Sequence, residues 1–310
     1  MIGGMSHAEF VALGLPPLVA ALLGALACAL PGNFLLLRRQ ALIGDAISHV
    51  ALPGIVLAFL LTGTISTWPM MLGAGVAALA AAAMIEAVRR LGRLEPGAAM
   101  GVVFTTLFAV GVVALELSSA SSVHIDVEHA LYGNLESVVW FEAEGWGSLL
   151  DPEALAAAPA QIWRMAGALA LMALCARLFW KELALSAFDA GFAASVGARP
   201  RLAGAALTAA TAVAAVAAFE AVGSVIVIAM FICPPAAARL MTDRLDAQVA
   251  WSLVFAVASA FFGWLLAGWG PGWLGYQGSV SAAGMIATVA GLIMFAACAV
   301  GPKRRGVAHP

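Results

Sequence analysis

Residues 249–269 read VAWSLVFAVASAFFGWLLAGW and contain no charged side chain. A helix needs about 20 predominantly apolar residues to cross the hydrocarbon core of a bilayer, and this stretch is long enough to do so. It also lacks the strict alternation of apolar and polar residues that marks a strand of a membrane β-barrel. The stretch therefore predicts a transmembrane helix.

Further apolar runs of comparable length lie before and after this one. They cover residues 11–30, 43–62, 68–88, 98–117, 162–180, 202–219, 222–240 and 280–300. Lipid offers no partner to backbone N–H and C=O groups, so a chain that crosses it forms helices or a closed barrel. We expect an all-α integral membrane protein, a polytopic bundle of about eight to nine transmembrane helices in one domain over residues 1–310.

Composition excludes several classes of protein. Hydrophobic residues make up 63% of the chain and charged residues 10%, with a mean hydropathy of +1.00, whereas soluble domains carry about 25% charged residues. The 15 Lys and Arg against 17 Asp and Glu give a net charge of −2. A nucleic-acid binder needs a basic surplus for phosphate contacts, which this chain lacks.

The positions of the lysines exclude ATP hydrolysis by the chain itself. Only Lys181 and Lys303 are present and neither follows glycine, so no G-x-x-x-x-G-K-[ST] phosphate loop exists. The metalloprotease motif H-E-x-x-H and the nucleophile motif G-x-S-x-G are also missing. The sequence therefore predicts a protein that is not an enzyme by itself.

Basic residues collect in every second connection between the predicted spans, which sets the expected orientation. Cytoplasmic loops of membrane proteins are enriched in Lys and Arg, so we expect the N-terminus outside and the C-terminus inside. The stretch 118–161 contains seven Asp and Glu but no Lys or Arg, and we expect it to be an outer acidic segment. Arg164 is then the one basic residue on the outer side.

Residues 38–54, RRQALIGDAISHVALPG, contain the strongest candidate site. Asp45 and His49 are four residues apart and share one face of a helix. An Asp near the bilayer centre costs about 3 kcal/mol, so such residues face cavities, pair with each other or mark a substrate path. Oxygen and nitrogen ligands suit Zn²⁺, Mn²⁺ or Fe²⁺ better than Cu(I). Two ligands are too few, so we expect a partner subunit to supply more.

The same two residues also fit a structural role. Asp45 would then cap the start of its helix, and His49 would make a hydrogen bond between helices. Pro53 lacks an N–H to donate to the carbonyl of His49, which opens the helix beside the imidazole. Chemistry alone leaves both interpretations open.

Further candidates for a cation path lie in the outer half of the chain. Glu220 stands at the outer end of a predicted span, where it could instead be a carboxylate at the membrane surface. Residues 124–129, HIDVEH, could attract or relay cations or form a solvated loop. The candidate ligands in this stretch are His124, Asp126, Glu128 and His129.

Three segments together resemble the ABC-type zinc, manganese and iron permease family. They are residues 44–54, GDAISHVALPG, residues 188–197, FDAGFAASVG, and residues 220–240, EAVGSVIVIAMFICPPAAARL. The resemblance implies a fold related to the cobalamin-type importers, with two identical or homologous permease chains. It also implies cytoplasmic ATPase subunits and an extracytoplasmic metal-binding receptor. A divalent metal ion would be the transported substrate, with no permanently bound cofactor.

The resemblance also assigns roles to individual residues. It implies that Asp45 and His49 bind or gate the passing cation. It further implies a cytoplasmic coupling segment over about 182–200 that contacts the ATPase. Its coupling residues would be Asp189, Phe192, Ala193 and Gly197.

The function expected on these grounds is that of a permease subunit of an ATP-driven divalent-metal importer in the bacterial inner membrane. A permease for cobalamin or another chelate is one alternative, but a large chelate needs a wide path without ionisable ligands. An ion-coupled secondary transporter or channel is the other, and it would need no ATPase.

Overall fold

The computed structural model describes residues 6–64, 66–117, 135–273, 275–276, 278 and 280–302, and these form helices without a β-strand. The helix α1 includes a π-helical stretch, Phe10–Gly14. In chain order the helices are α1 (His7–Leu37), α2 (Ile43–Thr62), α3 (Thr67–Gly92), α4 (Pro96–Leu117), α5 (Pro152–Ala156), α6 (Ala160–Leu178), α7 (Trp180–Phe188), α8 (Ala190–Ser195), α9 (Pro200–Val222), α10 (Ser224–Met241), α11 (Leu245–Trp273) and α12 (Ala282–Val300).

Eight helices in the described ranges are long and apolar enough to cross a membrane. They are α1, α2, α3, α4, α9, α10, α11 and α12. The count becomes nine when α6 and α7, which meet at an angle of 72°, are taken as one broken span. The expected all-α membrane bundle is confirmed.

The fifth predicted span, 162–180, is where sequence and structure differ. The helix α6 ends at Leu178, and the chain bends at Phe179 before α7 begins. Lys181 and Glu182 follow directly after this bend. Charged side chains at this position cannot continue an apolar span, so α7 leaves the direction of α6.

One end of the bundle carries the described part of the predicted outer acidic segment. The N–H of Trp140 donates to the carbonyl of Ala12 at 2.9 Å. A carboxylate oxygen of Glu136 accepts from the N–H of Ala282, in the first turn of α12, at 2.8 Å. The segment from residue 135 onward is therefore packed against the starts of α1 and α12.

The opposite end of the bundle gathers the basic connections. There the ring of Phe34, in α1, meets the ring of Trp180, in α7, edge to face at 5.7 Å. The Arg38 side chain, just after α1, lies against Gly204 in α9. The charge pattern predicted two such ends, and the placement of the basic end in the cytoplasm stays a prediction.

Small residues bring α2 close to its two neighbours. A methyl group added at Gly73 in α3 would lie 2.6 Å from the Cβ of Ala58 and even closer to the carbonyl oxygen of Gly54 in α2. A methyl group at Gly111 in α4 would lie 2.8 Å from the Cβ of Pro53. Lipid chains are as apolar as these helices, so burying helix surface stabilises the bundle little. Close backbone contact of this kind therefore holds the helices together.

A buried amide pair joins α1 to α11. The side-chain N–H of Gln248 donates to the side-chain oxygen of Asn33 at 3.2 Å, and both residues are fully buried. Asn33 also donates to the carbonyl of Ala29 at 2.8 Å. The apolar run predicted a span that begins at Val249. The helix α11 begins earlier, at Leu245, and therefore places Gln248 inside the bundle.

The Gly54–Gly73 contact predicts a difference between two glycines of α3. Gly73→Ala should lower the apparent melting temperature of the detergent-solubilised protein, because overpacking costs about 1–3 kcal/mol. Gly75→Ala is the matched control, since nothing lies within 4 Å of a methyl group added there. Equal melting temperatures for the two variants would contradict this account of the packing.

Candidate metal-transport site

The predicted pair lies near the start of α2. Nε2 of His49 is 3.5 Å from Oδ1 of Asp45, and the side chains are 48% and 31% exposed, respectively. Because α2 begins after Leu42, Asp45 lies within the first turn and does not occupy the N-cap position. The predicted sharing of a helix face is confirmed, whereas the capping interpretation of Asp45 is wrong.

The imidazole of His49 packs against two phenylalanines of α4. Its ring stacks on Phe104, with centroids 5.6 Å apart and planes at 26°. The ring of Phe108 meets it at 80° with centroids 6.0 Å apart. These contacts fix the orientation of the imidazole while leaving about half of the side chain exposed.

Glycine at position 44 is needed for the packing beside Asp45. A methyl group there would lie 2.5 Å from Cδ2 of Phe231 in α10. Phe231 is almost completely buried, so it has little room to move. The GD sequence thus allows α10 to support the turn of α2 that carries the carboxylate.

One chain offers an incomplete set of metal ligands. In the parts of the chain that the structure describes, no three His, Cys, Asp or Glu side chains form a group able to hold a metal ion. Structural zinc sites use four ligands, and catalytic sites use three. The half-exposed Asp45–His49 pair therefore needs ligands from elsewhere to complete a site.

A second face of α4, turned away from the side on which Phe104 and Phe108 contact His49, is apolar and exposed. Val110 and Val113 are 56% and 52% exposed. They belong to an open hollow lined by Thr105, Thr106, Ala109, Val110, Val113 and Ala114. Small and β-branched residues of this kind allow another helix to approach closely in a membrane.

Glu220, a candidate ligand, is engaged by an arginine. Its Oε1 lies 2.8 Å from Nη2 of Arg164, and the two side chains are 26% and 19% exposed. Nη1 of Arg164 also contacts Sδ of Met71 at 3.2 Å. The arginine thus links α6, α9 and α3, and the carboxylate is a structural partner in this arrangement.

The remaining candidate ligands cannot be placed. They lie outside the described residues and are His124, Asp126, Glu128 and His129. Their contribution to a cation path stays a prediction.

Asp189 forms the start of the short helix α8 in the predicted coupling segment. Its Oδ1 accepts the N–H groups of Gly191 at 2.7 Å and Phe192 at 3.0 Å. Gly197, two residues after the end of α8, has a φ of +80°, a conformation that favours glycine. Both residues therefore shape the segment, whatever they contact in a partner.

An apolar ridge faces outward from the coupling segment. Phe192 is 56% exposed, and Phe188 and Val196, which sequence analysis did not select, are 64% and 50% exposed. Helical spacing could have found Phe192 and Val196 together, but Phe188 ends α7 and is separated from α8 by the extended residue Asp189. Ala193 is fully buried. Its role in coupling to the ATPase stays a prediction.

The Arg164–Glu220 pair predicts non-additive stability. Arg164→Met should destabilise the protein strongly, towards the about 3–5 kcal/mol that an abandoned buried charge costs. The double variant Arg164→Met with Glu220→Gln should recover much of this loss, as measured by apparent melting temperature. Additive losses would contradict the assignment of Glu220 as a structural partner.

Comparison with known proteins gives consistent relatives. Residues 12–142 and 148–301 match the ABC 3 transport family. The chain is 37% identical over 242 residues to the manganese transport system membrane protein MntD of Bacillus subtilis, covering 78% of this chain and 79% of that one. It is 34% identical over 284 residues to the zinc transport system membrane protein TroD of Treponema pallidum, covering 90% and 71%.

A solved structure has the same fold. PsaBC from Streptococcus pneumoniae, in complex with Fab, aligns with a TM-score of 0.72 at 24% identity, over 96% of this chain and 95% of that one. Fold and sequence thus point the same way, and the family match covers most of the residues that build the Asp45–His49 site. The chain belongs to the ABC 3 transport family.

Proposed function

We propose that this chain is the membrane-spanning permease subunit of an ATP-driven importer for a divalent transition metal. The observation that supports this proposal most directly is the Asp45–His49 pair, which is partly exposed and lies beside Phe104 and Phe108 of α4. Oxygen and nitrogen ligands suit zinc, manganese and iron alike. The names of the manganese and zinc transport relatives support two of these three metals as cargo.

A second permease chain would complete the metal site. Two identical subunits related by a two-fold axis present the same patch to each other. If the α2–α4 faces meet in this way, two Asp45–His49 pairs supply four ligands around the axis. The ion would then be held between the chains.

Weak and transient binding suits transport. Conduction requires a site that is favourable enough to enter and weak enough to leave. A ligand set divided between two chains can open when the chains move apart. Asp45 and His49 would then release the ion as the opening changes from one side of the membrane to the other.

The energy for this change would come from separate ATPase subunits. The chain lacks a phosphate loop, and the ridge formed by Phe188, Phe192 and Val196 offers an apolar contact for a cytoplasmic partner. In the proposed orientation, the N-terminus lies outside the membrane. The end of the bundle that carries the acidic segment then faces a metal-binding receptor.

Removing either ligand should abolish transport. In liposomes that contain the complete complex, Asp45→Ala and His49→Ala should reduce ATP-dependent metal uptake by at least the about 10–100-fold that loss of an outer-shell partner costs. His7→Ala is the matched control, because this histidine is exposed and lies on α1, outside the site. Uptake of each metal is measured in turn with Zn²⁺, Mn²⁺ and Fe²⁺.

The same preparation separates this proposal from its rival. The permease alone, in liposomes with an ion gradient, should move no metal. Uptake by the permease alone would identify an ion-coupled transporter or channel and overturn the proposal. Normal uptake by both ligand variants would overturn the role of the pair.

A further inference from the structure

The end of α1 and the residue that follows it place two side chains on one face. Phe34 and Arg38 are four residues apart, and the N–H of Arg38 donates to the carbonyl of Phe34 at 3.0 Å. Phe34 is fully buried, and Arg38 is partly buried. Arg38 directly precedes the turn that leads into α2, so this face lies next to the start of the metal-site helix.

Both arms that flank the coupling helix α8 contact this face. On one side, Trp180 of α7 meets the ring of Phe34 at 88° with centroids 5.7 Å apart. On the other side, Gly204 of α9 supports the guanidinium of Arg38. A methyl group at Gly204 would lie 3.0 Å from Cζ of Arg38 and still closer to Nη2. A side chain at this position would therefore displace the guanidinium.

The guanidinium of Arg38 is partly buried and incompletely hydrogen-bonded. Nη1 is buried and has no hydrogen-bond partner among the described residues. Burial, followed by the charge of Arg89, lowers the pKa of Arg38, while Glu86 acts in the opposite direction. A buried donor without a partner costs free energy. An arrangement that gives Nη1 a partner would therefore be favoured over one that leaves it without a partner.

A short, hydrogen-bonded turn connects Arg38 to α2. The N–H of Gln40 donates to the carbonyl of Leu35 at 2.8 Å, and the N–H of Ile43 donates to the carbonyl of Gln40 at 3.0 Å. Arg39 has a φ of +57°, which gives the turn a left-handed residue. Two residues after Ile43 comes Asp45. A displacement of Arg38 therefore reaches the carboxylate along a turn that these hydrogen bonds hold together.

We propose that Arg38 is the positioning residue that links movement of the coupling helix α8 to the Asp45–His49 pair. This inference rests on the proposed function. When the ATPase moves α8, the first turns of α9 shift the guanidinium that lies on Gly204. The last turn of α1 follows, and the turn after it moves the first turn of α2. Arg38 itself touches neither the metal nor the ATPase.

The test measures coupling and not only activity. In liposomes that contain the permease, its ATPase and its receptor, metal uptake and ATP hydrolysis are recorded together with the metal that the unmodified complex transports. Arg38→Ala should lower the number of ions moved per ATP about fivefold or more, a typical size for coupling between sites. Basal ATP hydrolysis should remain, because Arg38 is not part of the ATPase.

The neighbouring arginine provides the matched control. Arg39 is exposed, and Arg39→Asn removes the same charge while tolerating the left-handed backbone. Its ratio of ions to ATP should equal that of the unmodified complex. Equal ratios for Arg38→Ala and Arg39→Asn would overturn the inference. So would a parallel loss of uptake and hydrolysis, since that marks a purely structural role.

Gly204 allows the same test with Arg38 retained. Gly204→Ala should also lower the ratio, because the added methyl group displaces the guanidinium, and it serves if Arg38→Ala fails to assemble. In the Arg38→Ala background, Gly204→Ala should have no further effect, since residues that act through one contact are not additive. An additive loss would overturn the inference. Absence of metal-dependent hydrolysis in the unmodified complex would overturn the proposed function instead.

Discussion

The structure depends on the close approach of α2 to its neighbours in a medium that gives apolar helices little reason to associate. Gly54 and Gly73 let the backbones of α2 and α3 touch, and Gly111 receives Pro53 from the other side. With α2 fixed in this way, Phe104 of α4 stacks on His49. A site near a helix start is thereby held by packing along the whole helix.

The site combines firm support with incomplete coordination. Packing orients His49 from one side, but the described residues of one chain bring no third candidate ligand to the pair. A closed cage would retain a metal ion, whereas a ligand set shared between chains ties binding to their relative position. The same helix is connected through Arg38 to both arms of the coupling segment. In the proposed function, the start of α2 binds the cargo together with the second chain, and Arg38 links it to the segment that contacts the ATPase.

Local patterns predicted the features that depend on local spacing. Apolar runs indicated the spans, and the four-residue spacing of Asp45 and His49 indicated a shared face. Contacts between distant parts of the chain have no such pattern: Gln248 and Asn33 are 215 residues apart. The Arg164–Glu220 pair was indicated in the sequence only by Arg164, the single basic residue on the acidic side. Burial of Ala193 could not be predicted, because three of its neighbours at helical spacing, Ala190, Val196 and Gly197, are also small or apolar.

The most direct test of the central claim asks which atoms bind the metal. Mn²⁺ is added to the permease–ATPase complex without nucleotide or receptor, so that neither of these supplies a metal site, and electron spin-echo modulation detects nitrogen bound to the ion. The account predicts imidazole nitrogen modulation that persists in His7→Ala and disappears in His49→Ala. An unchanged nitrogen signal in His49→Ala would contradict it.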